Sequence, residues 1–455
     1  MLDLLVTDGE VVLADGPTLA VHVGIADGRV VGLYDHRDRP PARDTLDARG
    51  KVVLPGLLDA HVHPGVYEDL GDDLEHITRF AALGGITSMV AFHRPQATYE
   101  EAIPAAKQVF AAHSHLDFGF ILGVTQRHQI ADVGYAVEQG VNGFKFYLGY
   151  CGHEDRFSAG FPFTDTHLIE VMEALAALPS DPLLCVHCEN AAISAHYQSK
   201  LANETEHTLA HYDRIHPVIS EADAAVRVSL LGHQLGIRTC IVHVSAGTTA
   251  ELLAEVPWTG SDRVVLETCL HYLAVDVDDP AGLRAVVRPP VRTADEVDRL
   301  WEQVLTGNLD TIGSDNCGNR VDEKIHMDVR TCRLGFGEMG LTLPLLLHEG
   351  HHRRGMPLSQ IVAMTSRNIA AAHRLLPRKG TLLPGADADL VVVDLELEQT
   401  VDPARLKSRP EGSIYAGRSL RGWPVATVIG GRIVAADGHM TGELGHARFL
   451  RTTND

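Results

Sequence analysis

The chain has 455 residues, more than one hydrophobic core usually supports, so a large domain with a smaller companion is expected. Apolar residues make up 45% and charged residues 22%, an ordinary globular balance, and no run approaches the ~18 apolar residues of a membrane span. The net charge of -21 argues against nucleic acid or an anionic membrane as partner.

Met1-Leu2-Asp3-Leu4 lacks the basic region, apolar stretch and cleavage site of a secretory leader. Seven cysteines form an odd set without small-domain spacing, which points to a reducing compartment; a cytoplasmic protein is expected. Residues up to about 50 read as short strands broken by turns. Val11-Val12-Leu13 precedes Asp15-Gly16, and Val21-His22-Val23-Gly24-Ile25 precedes Asp27-Gly28 and Val30-Val31-Gly32-Leu33. Asp-Gly between β-branched runs is a hairpin signal. The far end reads the same way in Asp389-Leu390-Val391-Val392-Val393 and Ala426-Thr427-Val428-Ile429, so both termini are expected to share one small β-sandwich domain.

The middle has another rhythm. Short apolar runs near 54–60, 86–92, 118–124, 142–147, 182–188, 238–245, 264–268 and 310–315 alternate with helix-like segments such as Leu168–Leu178 and Glu221–Leu235. That pattern predicts α/β architecture: a (β/α)8 TIM-type barrel over 53–380, with 1–52 and 381–455 forming the β-sandwich.

In such barrels the chemistry sits at the C-terminal ends of the strands. The first candidate strand ends in His61-Val62-His63. Residues i and i+2 of a strand share a face, so two imidazoles can grip one metal ion; the alternative is two core histidines with separate partners. Later strands carry Lys145, His187 and His243, and the eighth ends in Gly313-Ser314-Asp315. Singly, each has a bland reading: a satisfied core histidine, a salt-bridged lysine, an aspartate capping a helix. Together they form one rim of four imidazoles and a carboxylate, suited to zinc or a similar first-row metal. Burial would leave Lys145 a neutral amine able to take up carbon dioxide as a carbamate, an anionic oxygen ligand that can bridge two metals.

These segments resemble the amidohydrolase superfamily in its cyclic-amide branch of dihydropyrimidinases, hydantoinases, allantoinases and dihydroorotases. The resemblance runs almost end to end. It rests on Leu54-Pro55-Gly56-Leu57-Leu58-Asp59-Ala60-His61-Val62-His63, Gly143-Phe144-Lys145 and Val186-His187-Cys188-Glu189-Asn190. It continues through Val242-His243-Val244-Ser245, Glu267-Thr268-Cys269-Leu270-His271-Tyr272-Leu273, Pro289-Pro290-Val291-Arg292, Gly313-Ser314-Asp315 and Gly385-Ala386-Asp387-Ala388-Asp389. The resemblance implies a pair of divalent metal ions, usually zinc. His61, His63 and Asp315 would hold the first, His187 and His243 the second, with carboxylated Lys145 and a hydroxide bridging them. That hydroxide would open a hydantoin- or dihydropyrimidine-like ring, with Asp315 as proton shuttle. Tyr150 matches the tyrosine that hydrogen-bonds the developing oxyanion in dihydropyrimidinases. The resemblance further implies a homo-oligomer, tetramer or dimer.

The substrate shell departs from the pattern. Pro64-Gly65-Val66-Tyr67 lacks the arginine that dihydroorotases place after the histidine pair, Ala91 stands where an aspartate is usual, and Arg288 replaces a small polar residue. Asn316 stands where histidine is common, and Phe336 where an asparagine binds the substrate amide. Arg288 and Arg94 are candidates for gripping a substrate carboxylate, with rim salt bridges as the alternative. Cys269 is a further candidate in the substrate shell. Competing readings are an allantoinase or other ureide hydrolase, a non-catalytic scaffold on the same fold, and a mononuclear deaminase, against which Lys145 argues. Cys185-Val186-His187-Cys188 is expected to be buried packing rather than redox or zinc chemistry. His348, His351 and His352, like His113 and His115, are expected at solvated helix ends rather than in a second metal site.

Overall fold

Gly56 is the point at which the chain passes from one sheet to another. In the computed structural model, which describes residues 1–150, 161–204, 207–318, 321–406 and 412–452, Val52–Pro55 is a strand of the sheet built from the termini, whereas Leu57–Val62 opens the barrel. The single run expected over 54–60 is therefore split. A Cβ on Gly56 would lie 2.3 Å from the Thr87 side chain, so only glycine lets the two sheets approach here.

The barrel strands are β1 (Leu57–Val62), β2 (Ile86–His93), β3 (Asp117–Gly123), β4 (Gly143–Leu148), β5 (Leu183–Cys188), β6 (Arg238–Ile241), β7 (Val264–Cys269) and β8 (Thr311–Gly313). They pair in parallel, in sequence order. The ring closes where Val62 bridges Asn316; His63 N–H donates to the Asn316 carbonyl (2.7 Å) and Asn316 N–H to the His61 carbonyl (3.2 Å). Asn316 is thus the seam of the barrel. Leu58, Ala60, Val90, Phe92, Ile121, Leu183, Cys185, Cys240, Val242 and Val265 fill the interior, with Leu375 and Leu450 in the same cluster. Helices cover the outside. Asp165–Ala176 and Val218–Leu235 fall where helices were expected, the latter ended by Gly236 in the left-handed region (φ 69°).

The termini form a ten-stranded sheet around an apolar core of their own, in which Leu4, Val23, Ile25 and Val53 meet Leu390, Val392, Ala426 and Val428. Strand Val52–Pro55 lies between Glu10–Val11 and Leu390–Thr400, so the two ends of the chain are zipped together. The hairpin Leu19–Ala26/Arg29–Asp35 turns at Asp27-Gly28, both with positive φ (50° and 73°), as the Asp-Gly signal requires.

A buried ionic cluster ties this sheet to the barrel. Lys379 Nζ meets Asp117 at the start of β3 (2.7 Å), Asp387 (3.1 Å) and Asp389, and Arg448 donates to Asp117 (2.7 Å). Replacing Lys379 by methionine leaves three carboxylates buried around an apolar chain. It should destabilise the fold by about 3–5 kcal/mol, read as a lowered urea midpoint. A midpoint equal to wild type would show that the cluster is not a clasp.

Candidate functional site

Strand β1 does not alternate strictly. Leu58 and Ala60 face the barrel interior while Val62 packs in the outer core, and the pairing with β2 shifts register between Asp59 and Val62. This irregularity swings His61 inward immediately after Ala60 and brings His63 to the same mouth, as bulges beside active sites do. Asp59 holds the bend: its carboxylate accepts from the backbone N–H groups of His61 (3.0 Å) and Ser314 (3.3 Å). His243 and Asp315, just beyond β6 and β8, both take positive φ (43° and 50°), a strained conformation for residues with side chains.

Asp315 Oδ1 lies 3.1 Å from His61 Nε2 and 3.0 Å from His63 Nε2. Facing nitrogens recur across the site: His187 Nδ1 is 2.9 Å from His243 Nε2. A tetrahedral zinc with bonds of about 2.0–2.1 Å separates its ligands by about 3.3 Å, so both groups have the spacing of donor atoms around an ion. Lys145 rises from the middle of β4, 1% exposed, its Nζ 4.8 Å from the Phe92 ring and without a hydrogen-bond partner among the described residues. Burial depresses its pKa, favouring the neutral amine. His243 Nδ1 is likewise buried without a hydrogen bond among the described residues. Such a concentration of orphaned donors is costly in an empty core and fits residues that hold metal.

Two glutamates that sequence reasoning quoted without a role complete the centre. Glu267, in β7, accepts from His61 Nδ1 (2.5 Å), and Glu189, two residues after His187, from its Nε2 (2.7 Å). Each fixes the ring so that the other nitrogen faces the site, the carboxylate–histidine arrangement of metal centres. A second acidic residue at i+2 from a strand-end histidine was the signal for Glu189; Glu267 lies across the barrel and had none. Burial alone would lower the pKa of His61, but Glu267 and Asp315 outweigh it and push it up to about 9. Burial lowers His63 to about 3 and His187 to about 4. Asp315 is buried too, yet His61 and His63 hold its carboxyl well below the usual range.

A cavity of about 740 Å³ opens over these groups. His63, Lys145, His187, His243 and Asp315 form its floor, Tyr147, Tyr150, Tyr212, Arg94 and Arg288 line its wall, and residues 64–67 and 330–335 form its rim. The rim segments are joined: Tyr67 Oη donates to the Leu334 carbonyl (3.2 Å) and accepts its N–H (3.1 Å). His61 lies beneath, fully buried.

The substrate-shell expectations divide. Arg94 lines the cavity at the end of β2. Arg288 also lines it, but Nε already donates to Glu189 (2.6 Å) and Nη2 to the Gly149 carbonyl (2.9 Å); a substrate carboxylate would compete with Glu189. Cys269 is buried and does not line the cavity, and Phe336 packs edge-on against His271, 5.1 Å between ring centres. Cys185 faces the barrel interior and Cys188 the outer core, so strand alternation keeps them apart. His348, His351 and His352 lie half-buried at the end of the helix Leu346–His352, held by backbone partners. His348 Nδ1 accepts from Arg421 N–H (3.1 Å), while His351 and His352 bond the carbonyls of Met356 and Leu395. His113 pairs with Glu75 (2.7 Å).

The profile of the Amidohydrolase family matches residues 52–434. The chain is 31% identical to L-hydantoinase of Paenarthrobacter aurescens, over 100% of this chain and 99% of that one. It is 34% identical to allantoinase of Rubrobacter xylanophilus, over 99% and 97%. The solved structure of L-hydantoinase (dihydropyrimidinase) from Arthrobacter aurescens superposes with a TM-score of 0.91 at 29% identity, covering 99% of this chain and 100% of that one.

Proposed function

The chain belongs to the amidohydrolase family, and from that premise we propose that it opens a cyclic amide ring, hydantoin- or dihydropyrimidine-like, by metal-dependent hydrolysis. The observation that carries this reading is the convergence of His63, His187, His243, Asp315 and an orphaned, buried Lys145 on the floor of one cavity, with His61 beneath it against Asp315. In this reading His61, His63, His187, His243, Asp315 and a carboxylated Lys145 would hold divalent ions, zinc by preference. When bound, the ions supply Lewis acidity for the ring carbonyl and water activated near neutral pH.

The chain's own groups do the rest. Asp315 takes the proton of the attacking water and delivers it to the ring nitrogen, since an amide nitrogen leaves badly unless protonated. The carbonyl carbon gains a hydroxyl, the C–N bond breaks, and the ring opens to a carboxylic acid with a ureido or amide tail. The Tyr150 hydroxyl donates to the carbonyl oxygen as negative charge builds there. Glu267 and Glu189 keep His61 and His187 in fixed orientations.

Likeness to both hydantoinase and allantoinase keeps a ureide substrate as the second reading. Turnover of hydantoin, dihydrouracil, allantoin, dihydroorotate and simple cyclic imides, on protein of known metal content, separates them. Preference for hydantoin or dihydrouracil supports the first; allantoin alone turned over would replace it. Arg94 is proposed to meet an acidic ring substituent. Arg94→Ala should then raise KM about tenfold or more for carboxylate-bearing rings and leave neutral rings unchanged; equal effects on both would sink that role. No helix among the described residues is long and apolar enough to cross a membrane. A cytoplasmic location is supported by the buried, unpaired state of Cys185, Cys188, Cys240, Cys269, Cys317 and Cys332.

A further inference from the structure

Arg288 is a buried cation, 4% exposed, with contacts that reach separate segments of the site. Its Nε donates to Glu189 Oε2 (2.6 Å), just beyond β5. Its Nη2 donates to the carbonyl of Gly149 (2.9 Å), the residue before Tyr150. The guanidinium carbon lies over the Tyr150 ring, 4.6 Å from its centre. Tyr150 meets His187 edge-on at 4.7 Å, so its ring stands between a metal-ligating imidazole and the arginine.

The backbone is pressed together at the same point. Gly149 has φ 101°, and a Cβ there would lie 2.6 Å from the Glu189 carbonyl oxygen. The exits of β4 and β5 therefore touch, and Arg288 spans both. We propose that Arg288 is a positioning residue for Tyr150, holding the ring by stacking and the preceding peptide by its hydrogen bond, rather than an anchor for a substrate carboxylate. The proposal rests on the reading above that Tyr150 donates to the reacting carbonyl oxygen.

Two physical points favour this role. Glu189 already pairs with Arg288, so a substrate carboxylate would have to compete with a buried, fixed carboxylate for it. Glu189 in turn has His187 and His216 as partners (2.7 and 3.0 Å), so it does not need the arginine merely to be hydrogen-bonded. What only a planar, forked cation provides here is simultaneous contact with a carboxylate, a peptide carbonyl and an aromatic face. An oxyanion donor displaced by a fraction of an ångström loses much of its effect on the transition state while leaving ground-state binding almost unchanged.

A double-mutant cycle on the metal-loaded protein tests this, with kcat and KM measured on one neutral and one carboxylate-bearing ring. Tyr150→Phe should lower kcat about 100-fold. Arg288→Gln should lower kcat about 10- to 100-fold on both rings, with KM within about twofold of wild type. The double variant should fall no more than about twofold below Tyr150→Phe alone, because the arginine acts through the tyrosine. Arg288→Lys keeps the charge beside Glu189 but loses the flat stack. It should show the same non-additivity with a kcat loss of about fivefold or more, and it serves where the glutamine variant does not fold. Multiplicative losses, an unchanged kcat, or a KM rise confined to the acidic ring would overturn the proposal. A wild-type protein inert towards every cyclic amide would instead overturn the reading of function on which it rests.

Discussion

Asp315→Asn should lower kcat/KM for ring opening by about ten-thousand-fold, with the fold intact. The carboxylate is placed to serve twice. Its Oδ1 faces the Nε2 atoms of both His61 and His63 within 3.1 Å, and burial at 8% exposure leaves it little competing solvent. Holding it there costs a positive φ at a non-glycine residue, strain that persists only where the surroundings enforce it. Asparagine keeps the shape but can neither accept the proton of water nor return one to the leaving nitrogen. Circular dichroism and metal analysis on the variant separate loss of chemistry from loss of structure. A variant keeping more than about a tenth of wild-type kcat/KM would remove Asp315 from the proton path.

Lys145→Ala should be nearly as damaging, and recoverable. The wild-type amine sits on the cavity floor with no hydrogen-bond partner among the described residues, 4.8 Å from the face of Phe92. A lysine serving structure alone would be placed against a carboxylate, as Lys379 is against Asp117. If its role is to carry a carbamate, truncation should cost about a thousandfold or more in kcat/KM and lower the metal content. A short carboxylic acid supplied in the buffer should then restore part of both, because it offers the same pair of oxygens in the space left by the side chain. Labelled bicarbonate should give a carbamate resonance in wild type and none in the variant. The metal-free forms invert the order. Lys145→Met replaces an unpaired buried amine by an apolar chain of similar volume, so its apo-protein should unfold at an equal or higher temperature than apo wild type. An apo variant clearly less stable than wild type, with no rescue by carboxylic acids, would assign the lysine to structure.

Much of this site was legible in the sequence because its side chains end apolar runs. A run of buried residues announces a strand, and a polar residue within it or just beyond its end stands out, so Lys145, His187 and Asp315 were found one by one. What escaped was decided by tertiary contact. Nothing local indicates that β1 slips register between Asp59 and Val62, or that β6 stops at Ile241 because His243 adopts a positive φ. The run at 54–60 looked continuous because both sheets that share it are buried. Arg288 read either as a cation for a substrate carboxylate or as one arm of a salt bridge; its partners Glu189 and Gly149, about a hundred residues or more away, come together only through parallel pairing of β4 with β5. The partners of His348 and His352 are backbone groups of distant strands, the Arg421 N–H and the Leu395 carbonyl, invisible to spacing.

The central claim is that this cavity opens cyclic amides only when its floor holds metal. Stripping the protein with a chelator and titrating zinc back, while following hydrolysis of hydantoin or dihydrouracil, tests it most directly. The stripped protein should show no turnover, and activity should rise with added metal to a plateau at about two ions per chain. Full activity in protein shown to be metal-free, or a metal-loaded protein that opens none of the rings, would contradict it.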